Sequence, residues 1–187
     1  MSDARPGPRE RLLRAARVLT YTQGVGVGVD AILAEADVAR RSLYQHFGGK
    51  DGLITEVIRT TAADDEEGYR RALAGGGTDP RDRLLNIFDT LDRTISAPGF
   101  HGCRYLAADL ALVDPRHPAH AETSAYRDRL RALLRDELTA LGHPEPDRAS
   151  TDLLFLIEGA LVTGATRPES HPARTARTMA ERVLDEH

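Results

Sequence analysis

Apolar side chains recur at three- and four-residue spacing along almost the whole 187-residue chain, and nowhere do they alternate with polar ones over the length of a strand. That periodicity predicts an all-α architecture. Leu12, Ala16 and Leu19, reinforced by Leu13 and Ala15, form one face of a first helix from about Pro8 to Thr22. The glycines of the QGVGVG segment make a loop that leaves Gly28 at the N-cap of a short second helix with Val29, Ile32, Leu33 and Ala36 inward. A tight turn at Asp37 and Val38 leads into a third short helix, Ala39 to Phe47, with Leu43 and Phe47 inward, and Gly48 and Gly49 end it. Lys50 opens a long fourth helix carrying Leu53, Ile54, Val57 and Ile58, which fades into the polar stretch Asp64 to Arg71. Gly75, Gly76 and Gly77 mark the clearest break in the chain.

After the break, Thr78 and Asp79 are N-cap candidates and Pro80 suits the first helical position, ahead of Leu84, Ile87, Phe88, Leu91 and Ile95. Pro98 and Gly99 stop this fifth helix. A sixth is expected from about Cys103 to Val113, halted by Asp114-Pro115. The seventh, Ala119 to Leu141, sets Tyr126, Leu130, Leu133, Leu134, Leu138 and Leu141 against arginines on its other side. An eighth, Asp147 to Thr166, is apolar nearly all round, and a ninth presents Ala173, Ala176, Met179, Ala180 and Val183. The expected fold is therefore about nine helices.

Composition removes several classes. No apolar run approaches the roughly 20 residues of a membrane helix, and residues 1–10 hold charges and prolines without a secretory hydrophobic stretch, so the expected location is the cytoplasm. A single cysteine, Cys103, excludes an intramolecular disulfide framework and a multi-thiolate zinc site. The net charge of −4 argues against nucleic acid until it is divided along the chain. Residues 1–50 hold eight basic and five acidic side chains, a local +3, and the remainder carries −7. A polyanion responds to the local field within a Debye length of roughly 8 Å, so an acidic whole with a basic amino-terminal quarter keeps DNA open as a partner. Lys50 is the one lysine among 25 basic residues.

The informative stretch is VDAILAEADVARRSLYQHFGGK, residues 29–50. Two short helices joined by a tight turn and backed by a third make a helix-turn-helix, whose second helix can lie in the major groove with its amino-terminal residues at the base edges. Arg40, Arg41 and Ser42 stand there. Arginine offers a rigid fork of donors that matches guanine O6 and N7, and a serine hydroxyl donates or accepts at several bases. Tyr44 and His46, later on the helix, and Lys50, at the next helix start, are suited to phosphate oxygens. The competing reading of this arrangement is an ordinary helical hairpin with solvated arginines.

The first 55 or so residues resemble the amino-terminal domain of TetR/AcrR-family transcriptional regulators. The match lies in RERLLRAARVLT, in VDAILAEADV, and above all in SLYQHFGGKDGL, which is close to the family pattern TLYxHFxxKexL. The resemblance implies a DNA-binding domain over residues 1–50, with Arg40, Arg41 and Ser42 at base-reading positions and Tyr44, His46 and Lys50 at phosphate-contacting ones. The sequence departs from the pattern at Gly28, where Thr or Ser is favoured, at Ala39, where a capping Ser is usual, and at Asp37, often Gly. Each lost cap costs about 1 kcal/mol of helix stability, and the missing hydroxyl at Gly28 removes a phosphate contact.

Residues 51–187 are expected, by the same resemblance, to form a helical effector-binding and dimerisation domain. The string GFHGCRYLAADLALVDPRHP is similar to one broad subgroup with Gly-Cys opening helix six and an Asp-Pro-x-His-Pro turn before helix seven. An apolar-all-round helix near a chain end needs covering, which points to helices eight and nine as the homodimer interface through Leu154, Ile157, Leu161, Ala176, Met179 and Val183. Gly159, Gly164, Ala173, Ala176 and Ala180 would allow close approach. The alternative is that helix eight is the core of its own monomer. A two-fold dimer would supply the paired reading heads that a palindrome demands.

Candidates to line an effector pocket are Phe88, Leu91, Cys103, Tyr105, Leu106, Tyr126, Phe155 and Glu158. Each also has a plain reading as core. Glu158, alone in an apolar run, is the candidate for recognising a polar ligand group or an interface partner. Cys103 reads as a small buried residue rather than a redox sensor. His101, His117, His120 and His143 sit by Pro-rich turns without a carboxylate or thiolate cluster at ligand spacing, so loop or cap roles are expected, with no metal and no cofactor.

Three functions compete. The first is a DNA-binding repressor that holds a palindromic operator as a dimer and is released by a small-molecule effector. The second is an enzyme, against which stand the lack of a nucleophile and base at telling spacing, of a phosphate loop and of a metal motif. The third is a small-molecule-binding helical protein with weakened or lost DNA binding, suggested by the missing caps.

Overall fold

A computed structural model of the chain describes residues 6–185, so Asp3 and Arg5 of the amino-terminal charge count lie outside the described residues. Within them all regular structure is helical. The elements are α1 (Pro8–Gln23), α2 (Val29–Ala36), α3 (Arg40–Phe47), α4 (Lys50–Gly75), α5 (Pro80–Ile95), α6 (Arg104–Ala111), α7 (Ala119–Leu141), α8 (Pro146–Thr166), a 3₁₀ turn (Pro168–Ser170) and α9 (Pro172–Leu184). Asp79 caps α5, its Oδ1 accepting the Arg81 N–H at 2.8 Å ahead of Pro80. None of the described helices is long and apolar enough to cross a membrane.

The chain packs as two units, Met1–Ala63 with Arg104–Ser124, and Asp64–Cys103 with Ala125–His187. This division of packing differs from a boundary at residue 50, because the first half of α4 and all of α6 belong to the first unit. Its core is Leu12, Ala15, Ala16, Val27, Ile32, Leu33, Ala36, Leu43, Leu53 and Val57. All but Val27, in the loop before α2, are inward positions that helical spacing selects on α1 to α4. The Arg104 guanidinium sits 4.3 Å above the Tyr21 ring, joining α6 to α1. At the α6 to α7 connection, Asp109 Oδ1 accepts from Thr123 Oγ1 at 2.7 Å and faces His120 Nδ1 at 2.9 Å, while His120 Nε2 faces the Leu112 carbonyl at 3.1 Å. A ring with both nitrogens against acceptors is fully bonded only as the imidazolium. The hydrogen bond to Asp109 accordingly raises the pKa of His120, despite some desolvation.

In the second unit, α8 and α9 pack on each other and on α5. Gly164 is required by that packing, since a Cβ there would lie 2.6 Å from Ile95 Cγ2. The polar stretch of α4 does not fade as its composition suggests but continues to Gly75. Ala72 and Leu73 are buried, and Glu66, also buried, is held by Arg70 at 2.5 Å and Arg129 at 2.8 Å. Helix α6 is shorter than expected at both ends. His117 and His143 take cap-like roles: His117 Nδ1 accepts the Ala119 N–H at 3.2 Å and His143 Nδ1 the Glu145 N–H at 3.1 Å. His143 Nε2 also lies 2.9 Å from the Val183 carbonyl, tying the α7 to α8 turn to α9.

Candidate nucleic-acid interface

The turn between α2 and α3 is built on an unusual residue. Asp37 adopts the left-handed conformation (φ 51°, ψ 56°) that glycine occupies without strain and aspartate tolerates better than most. Its N–H bonds the Ala34 carbonyl at 3.1 Å, and the Val38 N–H bonds that of Leu33 at 3.2 Å. Arg11, reaching across from α1, donates through Nη1 to the Asp37 carbonyl at 2.9 Å. The departure from glycine is thus stabilised by a neighbouring guanidinium. Gly28 and Ala39 stand at the N-caps of α2 and α3 in extended geometry with no side-chain cap bond.

Helix α3 is anchored by Leu43, which is buried, and by Phe47, which has the Arg9 guanidinium 5.5 Å from its ring centre. With that face inward, Arg40, Arg41, Tyr44, Gln45 and His46 are exposed and Ser42 is half-buried. Arg41, Tyr44 and Gln45, at i, i+3 and i+4, share one outward face. Gln45 went unremarked in the sequence, although glutamine presents the donor and acceptor pair that matches adenine N7 and N6. Arg40 differs from Arg41 in that its Nη2 is bonded to Asp30 Oδ1 on the first turn of α2. Among the described residues Arg41 has no such partner.

The hinge that follows is fixed by contact as much as by glycine freedom. Gly48 and Gly49 both have positive φ, and Lys50 then begins α4. A Cβ on Gly52 would stand 1.9 Å from the Phe47 carbonyl oxygen, so the end of α3 rests directly on the first turn of α4. Lys50 is half-buried at that turn. Next to it, Asp51 Oδ1 lies 3.5 Å from His117 Nε2. Farther along, Glu56 bonds Arg59 at 2.8 Å and Arg9 at 2.5 Å, and these bonds, Arg59's first, keep its carboxyl below the usual range against the opposing effect of burial.

Residues 12–57, which span these three helices and the start of α4, match the family model described as bacterial regulatory proteins, tetR family. The likeness extends well beyond them. SCO4454, a TetR-family transcriptional regulator from Streptomyces coelicolor, is 30% identical in sequence, with 95% of this chain and 94% of that one covered and a TM-score of 0.82. The chain belongs to the TetR family. The HTH-type transcriptional regulator YjdC of Escherichia coli K12 is 22% identical over 177 residues, 94% of this chain and 93% of YjdC. A cysteine variant of the TetR-family regulator CifR, solved with 26-base-pair double-strand operator DNA, is 21% identical, covers 96% of this chain and 98% of its own, and has a TM-score of 0.77.

In this TetR-family chain the expected effector-pocket residues are drawn from both units. Phe88, Leu91, Cys103 and Tyr126 are buried in the second unit, whereas Tyr105 is buried and Leu106 half-buried in the first. Phe155 is a correction: it is 64% exposed on the outer face of α8. Glu158 is engaged by Arg127, whose Nε donates to Oε1 at 2.7 Å. A residue not singled out beforehand, Tyr69 of α4, hydrogen-bonds the Tyr126 side chain. Burial, then the nearby Asp65 carboxylate, drives its phenol pKa far upward.

The dimer-face expectation also needs correcting. Leu154, Ile157 and Ala176 are buried within the second unit itself, Leu161 and Val183 are half-buried, and only Met179 of the six is exposed. The outward side of α8 and α9 instead carries Phe155, Gly159, Val162, Thr175 and Met179. Most of these line a surface groove of about 380 Å³ floored by Ala160, Pro172 and Ala176.

Proposed function

We propose that the protein is a cytoplasmic, ligand-responsive repressor that binds a palindromic operator as a homodimer and is released by a small-molecule effector. Residues 1–50 act as the DNA-reading domain and 51–187 as the effector-binding and dimerisation domain. The observation that carries the reading is the outward face of α3, where Arg41, Tyr44 and His46 project beside the half-buried Lys50 of α4. In this reading Arg40, Arg41 and Ser42 meet base edges, while Tyr44, His46 and Lys50 hold phosphates. The CifR structure with operator DNA supports it by likeness of fold. The apolar groove on α8 and α9 supports a two-fold interface, which would bring two reading heads to one palindrome. Release requires only that the effector prefer the conformation that does not bind DNA, a coupling of about 1–3 kcal/mol.

The test is selection from a randomised duplex pool followed by binding titrations of the full chain. Arg41→Ala should relax preference at one base pair by about 1–3 kcal/mol, while Lys50→Ala should weaken binding to all sequences and lower the salt slope by about one. Failure to retain any duplex at low salt would overturn the reading. It would favour a helical small-molecule-binding protein with lost DNA binding, the alternative supported by the uncapped starts of α2 and α3.

A further inference from the structure

The pair between Asp30 and Arg40 joins the second residue of α2 to the first residue of α3 across the helix-turn-helix. Its side chains are 87% and 52% exposed, and a pair so open to solvent adds little to stability. Each partner nevertheless has a local electrostatic consequence. Asp30 sits favourably in the first turn of its helix, whereas Arg40 places a positive charge at the positive end of α3. The carboxylate offsets that second, unfavourable term. It also restrains a side chain that otherwise loses considerable rotamer freedom whenever it is ordered.

The geometry of the bond leaves Arg40 able to read. Nη2 donates to Asp30 Oδ1. A guanidinium has five N–H donors, so four remain, enough for the two-donor match to guanine O6 and N7. Asp30 itself accepts hydrogen bonds and repels phosphate, so close to a duplex it penalises every register in which Arg40 is not seated. We infer that Asp30 is a specificity-determining residue that positions Arg40 to read a single guanine. It acts both by orienting the guanidinium before contact and by disfavouring non-cognate DNA. This inference rests on the DNA-binding reading above.

The two effects have opposite signs in one experiment. Sequence preferences are measured by selection and titration for the full-length protein and for its Arg40→Ala, Asp30→Asn and Asp30→Glu variants. Arg40→Ala identifies the base pair concerned. Asp30→Asn, which keeps the shape and removes the charge, should lose about tenfold discrimination at that base pair alone. Affinity for random duplex should rise severalfold at low salt, and Asp30→Glu should keep most of the discrimination. Asp30→Asn together with Arg40→Ala should show no further loss at that position. A general defect of the fold would lower specific and random affinity together at every position, and that result would overturn the inference, as would an unchanged profile in Asp30→Asn. If the unmodified protein enriches no sequence at all, the DNA-binding reading falls, and this inference falls with it, an outcome separate from a specific binder indifferent to Asp30.

Discussion

Two glycines on one helix provide a controlled test of how α3 is held for reading. At Gly52 a Cβ would lie 1.9 Å from the Phe47 carbonyl oxygen and 3.1 Å from its carbon, whereas at Gly68, later on α4, nothing lies within 4 Å. Any Gly→Ala change in a helix interior gains about 0.5–1 kcal/mol from the reduced freedom of the unfolded chain and better helix propensity. Gly68→Ala should show that gain. At Gly52 the neighbour is backbone and cannot rotate aside, so either the end of α3 or the first turn of α4 must move by more than 1 Å to restore ordinary contact. Overpacking of this kind costs about 1–3 kcal/mol, with larger values where nothing yields. Net destabilisation of roughly 1–2 kcal/mol is expected for Gly52→Ala, and its effect should be local to the first unit. Since the chain has no tryptophan, amide hydrogen exchange is the suitable probe. Exchange should accelerate in α3 and the start of α4 but not in α8 or α9, while denaturation followed by circular dichroism gives the total. If Gly52→Ala were as stable as Gly68→Ala, with α3 exchange unchanged, the packing argument for the hinge would be refuted.

Ala39→Ser adds an acceptor at the uncapped start of α3 and should stabilise the first unit by about 1 kcal/mol in thermal or urea denaturation. Ile157→Ala, in the core of the second unit, should cost about 2–5 kcal/mol, whereas Phe155→Glu on the exposed groove should leave stability within about 0.5 kcal/mol and shift sedimentation toward monomer. His120 has a raised pKa in the folded protein, so the stability from its charged pair with Asp109 is fully present below about pH 6.5 and is lost as pH rises through the folded value. His120→Gln should flatten that part of the pH-stability profile, and imidazole proton titration by NMR should show the upward shift directly.

Helix positions were legible because each depends on local spacing. Leu12, Ile32, Leu33, Leu43 and Leu53 are the inward residues that periodicity selects, and all are buried. Asp79 and Pro80 announced the start of α5, and the structure has them as cap and first residue. The continuation of α4 past residue 64 was not legible, because the partner that secures Glu66 from outside the helix, Arg129, lies 63 residues away. Tyr69 was missed for the same reason: its significance comes from Tyr126, brought to it by packing, whereas Asp65 lies one turn earlier on the same helix.

What spacing leaves open elsewhere has one physical form, in that a residue's type is legible and its partner is not. Arg40 and Arg41 are identical neighbours in sequence, yet only the first meets a carboxylate, since Asp30 approaches it through the crossing angle of α2 and α3 rather than through any helical repeat. On α8 the difficulty is symmetry. A helix apolar on all sides does not say which side faces inward, and Gly159 and Gly164 look equivalent until Ile95 is found against one while the other opens onto the groove. Once packing within the second unit takes Leu153, Ile157, Ala160 and Gly164, the side left over is Phe155, Gly159 and Val162. The apolar surplus left at the surface of α8 is therefore a remainder fixed by packing order. That is why the apolar excess of α8 was readable from the sequence, and the side of the helix it leaves exposed was not.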